Sequence, residues 1–558
     1  MEPPGSPRWW ESAIVYCLDV AIFDDSDGDG VGDIAGLRRR LDYLQELGVT
    51  CLWLLPLYAS PHRDDGYDVT DHCAIDPRIG TLEDFDALVR DCDGRGLRIV
   101  LDLVVNHTSD EHPWFLAARQ APDSPHGRYY VWSDEPQAEP ESIVFPGEVD
   151  GNWAYDDAAQ RYFLHRYYEF QPDLDHGNPA VRTEMERIIA FWLGHGVSGF
   201  RVDSASFVIE QTGWGRRMDD PHEIFRRWRS FAEELRSDVL FVGEAQFPPA
   251  EQMPFFGDGD EFHGLFHFHL NNCAWLALAR RSARSLQNAL VDVSAPPPGC
   301  QWFTFLRSHD ELTFEKLAED EREDVLCELA PEPEMQIYGR GTRLRTASLL
   351  GHDPLRMRLA LSLLLSLPGT PVLLYGDEIG IEEDLSLPGR LSVRVPMRWS
   401  SGWNAGFSSA RETRLVRPVR ESGRRDASVW EQGRDADSLL HWTQAALAAR
   451  RAVGIEGGTA VPLETGDDAV FAHRWDGRGG SLVATHNLDR EARDVVLDLG
   501  ADARTSEVFA DRRYDVVSGD TRAFTLAPYG FRWFLLEGAG GDGGAATGAR
   551  SRRARASR

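Results

Sequence analysis

The chain has 558 residues, 42% of them hydrophobic, and its 90 acidic and 59 basic side chains give a formal net charge of −31. That charge would be repelled by nucleic-acid phosphates and by anionic membrane surfaces, so neither is expected as a partner. The length predicts two to four domains with a large core.

The composition also bears on compartment and ligand. The seven cysteines are odd in number, scattered and never in a CxxC spacing, which favours reduced thiols in a cytoplasmic protein. The N-terminal segment has no basic region followed by an apolar one, so no secretion signal is predicted. Lys316 is the only lysine, which we interpret as compositional bias, with adaptation to high salt as the alternative. A small neutral ligand is expected, and the oligomeric state stays open, a homo-oligomer included.

Short apolar runs alternate with helical patterns along most of the chain. Eight such runs predict an α/β fold, a parallel (β/α)8 TIM barrel. The apolar stretch 359–375 contains Pro368, Gly369 and Pro371, so it predicts a buried helix, a turn and a buried strand instead of a membrane span. The predicted strands are residues 13–20, 49–56, 97–105, 199–203, 239–244, 262–268, 302–308 and 371–375, of which the sixth has the weakest pattern.

The regular alternation is interrupted after the third strand and ends after residue 452. Residues 107–175 are rich in aromatic residues, proline and glycine, which predicts a subdomain inserted into the barrel. Residues 453–537 contain short alternating runs typical of an antiparallel β-sandwich. The tail 538–558 is glycine-rich and then arginine-rich, and we predict a disordered, solvated tail in preference to a nucleic-acid contact. The barrel is then assembled from residues 1–106 and 176–452.

Three acidic residues follow predicted strands. Asp203 ends the fourth strand, Glu244 ends the fifth, and Asp310 lies just past the seventh, so all three should face the barrel rim where active sites of this fold lie. Neighbouring carboxyl groups separate in pKa, which leaves one as an acid and one charged, as glycoside cleavage requires. Arg201 lies two residues before Asp203 on a strand, points to the same face and can hold it ionised.

An acidic loop follows the first predicted strand. In DSDGDGVGD the carboxylates of Asp25, Asp27, Asp29 and Asp33 alternate, a pattern that suits a hard cation. The loop is not an EF-hand, because its twelfth position is Gly36 where a bidentate glutamate is required. A solvated acidic turn is the alternative.

Several sequence blocks together resemble the α-amylase family, glycoside hydrolase family 13, over about residues 9–536. The resemblance implies that Asp203 is the nucleophile, Glu244 the general acid and base, and Asp310 a third carboxylate that binds sugar hydroxyls. It also implies that Tyr67, His107, Arg201 and His309 line the same subsite. The matching blocks are DDGYDVTDH around Asp68, DLVVNH at 102–107, QPDLD at 171–175, GFRVD at 199–203, GEA around Glu244 and SHDE around Asp310.

The same resemblance implies calcium and no organic cofactor. The acidic loop would bind calcium, or magnesium, with the carbonyl of Val31 as a further ligand. A second calcium site is implied at the side chains of Asn106, Asp173 and Glu210 and the carbonyls of Phe207 and Val208.

Later sequence blocks indicate which branch of the family the chain resembles. FLRSHDELTFE and LPGRLSVRVPMRWS resemble the maltose α-D-glucosyltransferases, which interconvert maltose and trehalose through a covalent glucosyl-enzyme. In that branch Asp68 and Arg394 would close the pocket behind a single glucose. Val395, Arg398 and Ser204 depart from the usual pattern, which leaves the acceptor open. The alternatives are an α-glucosidase that hydrolyses maltose or short malto-oligosaccharides, and a catalytically inactive binding or scaffold relative.

Overall fold

Eight parallel strands close into a barrel in the computed structural model, which describes residues 8–136, 143–210, 217–292, 295–420, 426–499, 504–515 and 521–537. The barrel closes where the first strand pairs with the last, with Val15 opposite Val372. The predicted fold class is confirmed, including the weakly patterned sixth strand. The strands are β1 (Val15–Leu18), β2 (Cys51–Leu54), β3 (Arg98–Leu103), β4 (Gly199–Val202), β5 (Leu240–Gly243), β6 (Gly264–Phe266), β7 (Gln301–Phe305) and β8 (Thr370–Leu374).

Helices connect successive strands, and their ends follow from local sequence. Leu41–Leu47 buries Leu41, Leu44 and Leu47 and ends at Gly48, whose φ of 102° favours glycine. The helix Leu82–Asp93 begins with a reciprocal capping box between Thr81 and Asp84. The remaining α-helices are Ile34–Arg39, Pro113–Gln120, Pro179–Gly194, Ala205–Glu210, Glu223–Leu235, Pro249–Gln252, Phe268–Arg280, Arg284–Asp292, Glu319–Leu329, Thr346–Leu349, Pro354–Ser366, Val429–Gln432 and Leu439–Val453.

Short antiparallel sheets lie near the carboxyl ends of the barrel strands. The insertion between β3 and β4 contains a three-stranded sheet, and Phe115 of the helix Pro113–Gln120 stacks on Trp132 of this sheet with ring centroids 5.8 Å apart. A second three-stranded sheet follows β7, and a two-stranded sheet follows β2. Their strands are Trp132–Ser133, Trp153–Asp156 and Arg161–Leu164; Leu312–Thr313, Gln336–Ile337 and Gly341–Thr342; Tyr58–Ala59 and Asp71–Ile75.

The C-terminal region is an antiparallel β domain, as predicted. Its five-stranded and two-stranded sheets enclose a separate apolar cluster that includes Val470, Val495 and Leu526. The tail 538–558 lies outside the described residues. The strands are Glu456–Pro462, Val470–Arg478, Gly480–Asn487, Arg493–Asp498, Arg504–Ala510, Thr521–Leu526 and Phe531–Glu537.

Two further features concern the chain as a whole. All seven cysteines are unpaired. Within the described ranges, none of the helices combines the length and the apolar character needed to cross a membrane.

Candidate active site

The carboxyl ends of β4, β5 and β7 converge on one cavity. Asp203, Glu244 and Asp310 all line it, and its volume is about 300 Å³, within the range of small-molecule sites. The barrel therefore brings together the three acids that follow its predicted strands.

Arg201 connects three carboxylates at the base of this cavity. Its Nη1 lies 2.6 Å from Oδ1 of Asp203 and 2.6 Å from Oδ1 of Asp102, and its Nη2 lies 2.7 Å from Oε2 of Glu244. The side chain is buried and lies over the ring of Trp53. One guanidinium thus holds Asp203 and Glu244 side by side, as charge-assisted hydrogen bonds allow.

The acids differ in protonation. Burial raises the pKa of Glu244 to about 7, with the charges of Asp203 and Asp310 adding to the effect and Arg201 opposing it. For Asp310 burial acts in the same direction, but His309 and Arg390 outweigh it and hold its pKa well below the usual range. The cavity therefore combines a carboxylic acid with an ionised carboxylate, the arrangement used in acid-catalysed bond cleavage.

Ser204 touches both Asp203 and Glu244. Its backbone N–H donates to Oε2 of Glu244 at 3.1 Å, and its hydroxyl donates to Oδ2 of Asp203 at 2.7 Å. The Ser204 hydroxyl also contacts the hydroxyl of Tyr167. Ser204 has a φ of 53°, in the left-handed region that non-glycine residues rarely adopt. This backbone turn directs its amide and its hydroxyl to neighbouring carboxylates.

Asp310 lies in a cationic setting. Its Oδ2 is 3.0 Å from Nε2 of His309, and its Oδ1 is 2.6 Å from Nη2 of Arg394 and 3.0 Å from Nη1 of Arg390. These contacts hold the carboxylate ionised and oriented, so that it can accept hydrogen bonds from hydroxyl groups.

The predicted tyrosine and histidine residues lie next to Asp310 and form part of the cavity wall. Tyr67 stacks on His309, and its hydroxyl lies 2.6 Å from Nε2 of His309 and 3.0 Å from Oδ2 of Asp102. His107 lies beside it, with Nε2 3.1 Å from the carbonyl oxygen of Tyr67 and 3.2 Å from the side-chain amide of Gln171. Tyr67 and His107 line the cavity, while His309 reaches it through Asp310.

The predicted pair of Asp68 with Arg394 does not form. The carboxylate of Asp68 accepts hydrogen bonds from the Ser60 hydroxyl at 2.8 Å and from the Arg63 amide at 3.0 Å, so it organises its own loop. Arg394 instead contacts Asp65 at 3.0 Å as well as Asp310. Asp64, and not Asp68, is the acid of DDGYD that lines the cavity, so the prediction chose the wrong acid of this block.

The pair that lines the cavity is Asp64 with Arg390, at 2.5 Å. Asp102 and Glu311 were also missed, and Oε2 of Glu311 is buried beside the cavity without a hydrogen-bond partner among the residues that the structure describes. All four belong to quoted blocks, so the signal was present. Sequence spacing alone did not show which acid of a loop turns inward.

Comparison with known proteins agrees with this geometry. The family described as Alpha amylase, catalytic domain, matches residues 20–329 and 340–456. The chain belongs to the α-amylase family. Its barrel, inserted subdomain and C-terminal β domain are those predicted from the pattern of apolar runs in the sequence.

Similar family members cover almost the whole chain. A trehalose synthase of Pimelobacter sp. (strain R48) is 38% identical over 553 residues, which is 95% of this chain and 96% of that protein. The trehalose synthase/amylase TreS of Mycobacterium tuberculosis (strain ATCC 25618 / H37Rv) is 37% identical over 548 residues, 96% of this chain and 91% of that protein. Among solved structures, an α-amylase from H. orenii is similar with a TM-score of 0.76 at 26% identity, covering 94% of this chain and all of that one.

The first predicted metal loop of this family member fits a cation with three of its four acids. Carboxylate oxygens of Asp25, Asp27 and Asp29 lie within 4.8 Å of one another, as oxygen ligands of calcium do. Asp33 is outside the cluster because it caps the helix Ile34–Arg39, accepting from the Gly36 amide at 2.6 Å. Val31 follows in the same turn, and its amide donates to Oδ1 of Asp29 at 2.8 Å.

The second predicted set does not fit calcium. Oδ1 of Asp173 accepts from the Asn106 amide at 3.1 Å and from the backbone amide of Arg166 at 3.2 Å. The buried guanidinium of Arg166 lies over the ring of Phe207, so a cationic side chain is already present next to Val208. The side chain of Glu210 lies outside the described residues.

Proposed function

We propose that this protein is a retaining α-glucosyl-transferring enzyme that interconverts maltose and trehalose through a covalent glucosyl-enzyme. The observation that carries the proposal is the single guanidinium of Arg201 that binds Asp203 and Glu244 together. A retaining mechanism needs these two carboxyl groups about 5 to 5.5 Å apart, and a shared cation favours such proximity. The trehalose synthases among its relatives support trehalose as one of the two sugars, and the resemblance of its later sequence blocks to maltose α-D-glucosyltransferases supports maltose as the other.

The residues divide the first step between them. Asp203 attacks the anomeric carbon of the non-reducing glucose of maltose, and Glu244 gives its proton to the glycosidic oxygen as that bond breaks. Arg201 holds the carboxylate of Asp203 in position for this attack, with Nη1 2.6 Å from Oδ1. Asp310 accepts hydrogen bonds from hydroxyls of the glucosyl ring, while Asp64, Arg390, Tyr67 and His107 enclose it.

The second step decides the product. The released glucose turns so that its anomeric hydroxyl attacks the glucosyl-enzyme, Glu244 takes the proton of that hydroxyl, and the Asp203 ester bond breaks to give trehalose. A retained acceptor can outcompete water because effective molarities of positioned groups reach roughly 10⁵ to 10⁸ M.

The cavity has the means to retain the acceptor. The ring of Phe145, in the insertion, packs at a tilt against Tyr168 and Tyr338 with centroids 4.9 and 5.7 Å away. The guanidinium of Arg390 lies over the Phe145 ring, 4.7 Å from its centroid. Tyr338 belongs to the segment between the small strands after β7, so the insertion and that segment meet beside the cavity. These aromatic side chains lie beside the cavity mouth and restrict exchange of a bound glucose with solvent.

Hydrolysis is the second candidate, and one observation favours it. The side chain of Glu244 is 26% exposed, so water can reach the atom that would activate it. In that case the protein is an α-glucosidase acting on maltose or short malto-oligosaccharides.

Incubation with maltose separates the candidates. Trehalose with little free glucose supports the proposal, whereas predominantly glucose overturns it in favour of an α-glucosidase. Turnover of neither maltose nor trehalose would indicate a binding or scaffold protein, although Asp203, Glu244 and Asp310 are all in place.

We also propose that Asp25, Asp27 and Asp29 hold calcium, with magnesium as the alternative ion. The ion would neutralise crowded carboxylates and stabilise the loop after β1, with no part in the reaction. A cytoplasmic location is proposed as well, supported by seven unpaired cysteines.

A further inference from the structure

Lys316 is the only lysine among 59 basic residues, and it lines the active-site cavity. It lies in the turn that follows the strand Leu312–Thr313, six residues after Asp310. Compositional bias toward arginine accounts for the rarity of lysine but does not explain why the one lysine lies at this position.

The Lys316 ammonium belongs to a charged group near the cavity mouth. Its Nζ is 3.0 Å from Oε1 of Glu315, whose other oxygen is 3.4 Å from Nη1 of Arg340. The side chains of Lys316, Glu315 and Arg340 are 22 to 27% exposed, while Tyr67 and His107 at the cavity base are buried. The Lys316 ammonium is therefore farther from the base than the groups proposed to enclose the transferred glucose.

Neighbouring contacts place Lys316, Glu315 and Arg340 on the side of the cavity where the leaving glucose would lie. Gln246, two residues after Glu244, donates to the Thr313 hydroxyl at 2.8 Å, which joins the Glu244 loop to the turn that carries Lys316. The Asn272 side chain donates to the Thr313 carbonyl at 2.9 Å and fixes that turn. Since Glu244 would protonate the glycosidic oxygen, the sugar beyond that oxygen extends toward this turn.

Lysine and arginine differ as partners for hydroxyl groups. An ammonium is a compact charge with three donors on a flexible stem, whereas a guanidinium is a planar fork suited to carboxylates and phosphates. Sugar hydroxyls are single oxygens in varied directions, and a glucose that turns within the cavity presents different hydroxyls in succession. A flexible point donor can follow that movement.

We infer that Lys316 binds hydroxyls of the acceptor glucose and determines how well that glucose is retained during transfer. This inference rests on the proposed transfer function. Glu315 keeps the ammonium over the cavity, and Arg340 shares the Glu315 charge.

The first test measures how the glucosyl-enzyme partitions between transfer to glucose and hydrolysis by water. Lys316→Met should raise the glucose released per trehalose formed from maltose by roughly tenfold, the effect of one lost hydrogen bond to a charged group. Lys316→Arg keeps the charge but not the geometry and should lie between Lys316→Met and the wild type. Arg284→Met removes a cation from an exposed pair with Asp468 and controls for the change in net charge. An unchanged partition in correctly folded Lys316→Met, checked by its melting temperature, would overturn the inference.

The second test observes the side chain directly. Reductive methylation with ¹³C-formaldehyde labels one lysine ε-amine in the wild-type protein, and Lys316→Arg identifies that NMR signal by its absence. With the deep glucose site held by the inhibitor 1-deoxynojirimycin, added glucose should shift the signal saturably. A signal unmoved by glucose would contradict the inference. If wild-type enzyme yields only glucose from maltose, the transfer proposal fails, yet this titration still decides whether a sugar reaches Lys316.

Discussion

At the scale of single residues, Glu244 has the clearest assigned task. Glu244→Gln keeps the size of the side chain and removes its proton, so turnover of maltose should fall by roughly 10² to 10⁴. The cavity contacts of Arg201 with Asp203 should persist in this variant. Steady-state rates with maltose check the prediction, and a rate like that of the wild type would remove Glu244 from the role of acid.

The protonation of Glu244 also predicts a pH dependence. Its pKa of about 7 means that the acid form is lost as pH rises through neutrality, so kcat/KM for maltose should fall on the alkaline side of about pH 7. A pH profile of kcat/KM measures this limb. In Glu244→Gln the remaining activity should lose that alkaline limb, and a limb of the same midpoint in both proteins would assign it to another group.

Ser204 offers a separate prediction because its hydroxyl donates to the nucleophile. Ser204→Ala removes that hydrogen bond, so Asp203 becomes a poorer leaving group and breakdown of the glucosyl-enzyme should slow by on the order of tenfold. Rapid-quench kinetics with an aryl α-glucoside separate the two steps. Ser204→Gly also lacks the hydroxyl but adopts positive φ freely, so a normal rate in Ser204→Gly alone would attribute the effect to backbone strain.

These residues show how far sequence reasoning reaches. Asp203, Glu244 and Asp310 could be selected because parallel strands deliver their ends to one rim. The pair of Asp64 and Arg390 could not be selected, because the three acids of DDGYD cannot be told apart by their spacing in the sequence. Only the fold shows that Asp68 turns into its own loop and Asp64 into the cavity.

At the scale of elements, the eight barrel strands were predictable because each is a short buried run bounded by helices. Several small strands beside the cavity were not, since a strand of two residues carries too little periodicity to be recognised. Trp132–Ser133 and Leu312–Thr313 are examples, and both depend on pairing with distant segments.

The acidic loop after β1 is the element whose ligand can be tested. EDTA should lower the melting temperature by about 2 to 4 °C, since a bound ion stabilises the folded state by mass action, and added calcium should restore it. Asp27→Asn preserves the acceptor for the Asp29 amide but removes a ligand charge, so it should abolish this response. Asp33→Asn should retain it, because Asp33 caps a helix. Identical melting with and without EDTA would count against the ion.

At the scale of the whole molecule, the barrel and the C-terminal domain meet through buried polar contacts. The Ser362 hydroxyl on the helix Pro354–Ser366 lies 2.9 Å from the indole nitrogen of Trp533 and 3.0 Å from Nε2 of His486. Nε2 of His473, in the C-terminal domain, lies 3.0 Å from the carbonyl oxygen of Ser366 at the end of the same helix. Breaking such an interface leaves unpaired polar groups, which couples the stability of the two domains.

His473 makes this interface sensitive to acid. Burial lowers its pKa to about 4, although its hydrogen bond to the Ser366 carbonyl opposes the shift. Between about pH 6.5 and about pH 4, His473 is protonated in the unfolded chain but neutral in the folded protein. The free energy of unfolding therefore falls as pH falls from about 6.5 to about 4, by roughly 2 to 3 kcal/mol from this residue. His473→Gln keeps a donor for Ser366 without the titration, so melting at pH 7 and 4.5 should differ less in this variant than in the wild type. His126→Gln changes an exposed histidine and should melt like the wild type at both values; equal acid sensitivity in all three proteins would show that His473 does not control the interface.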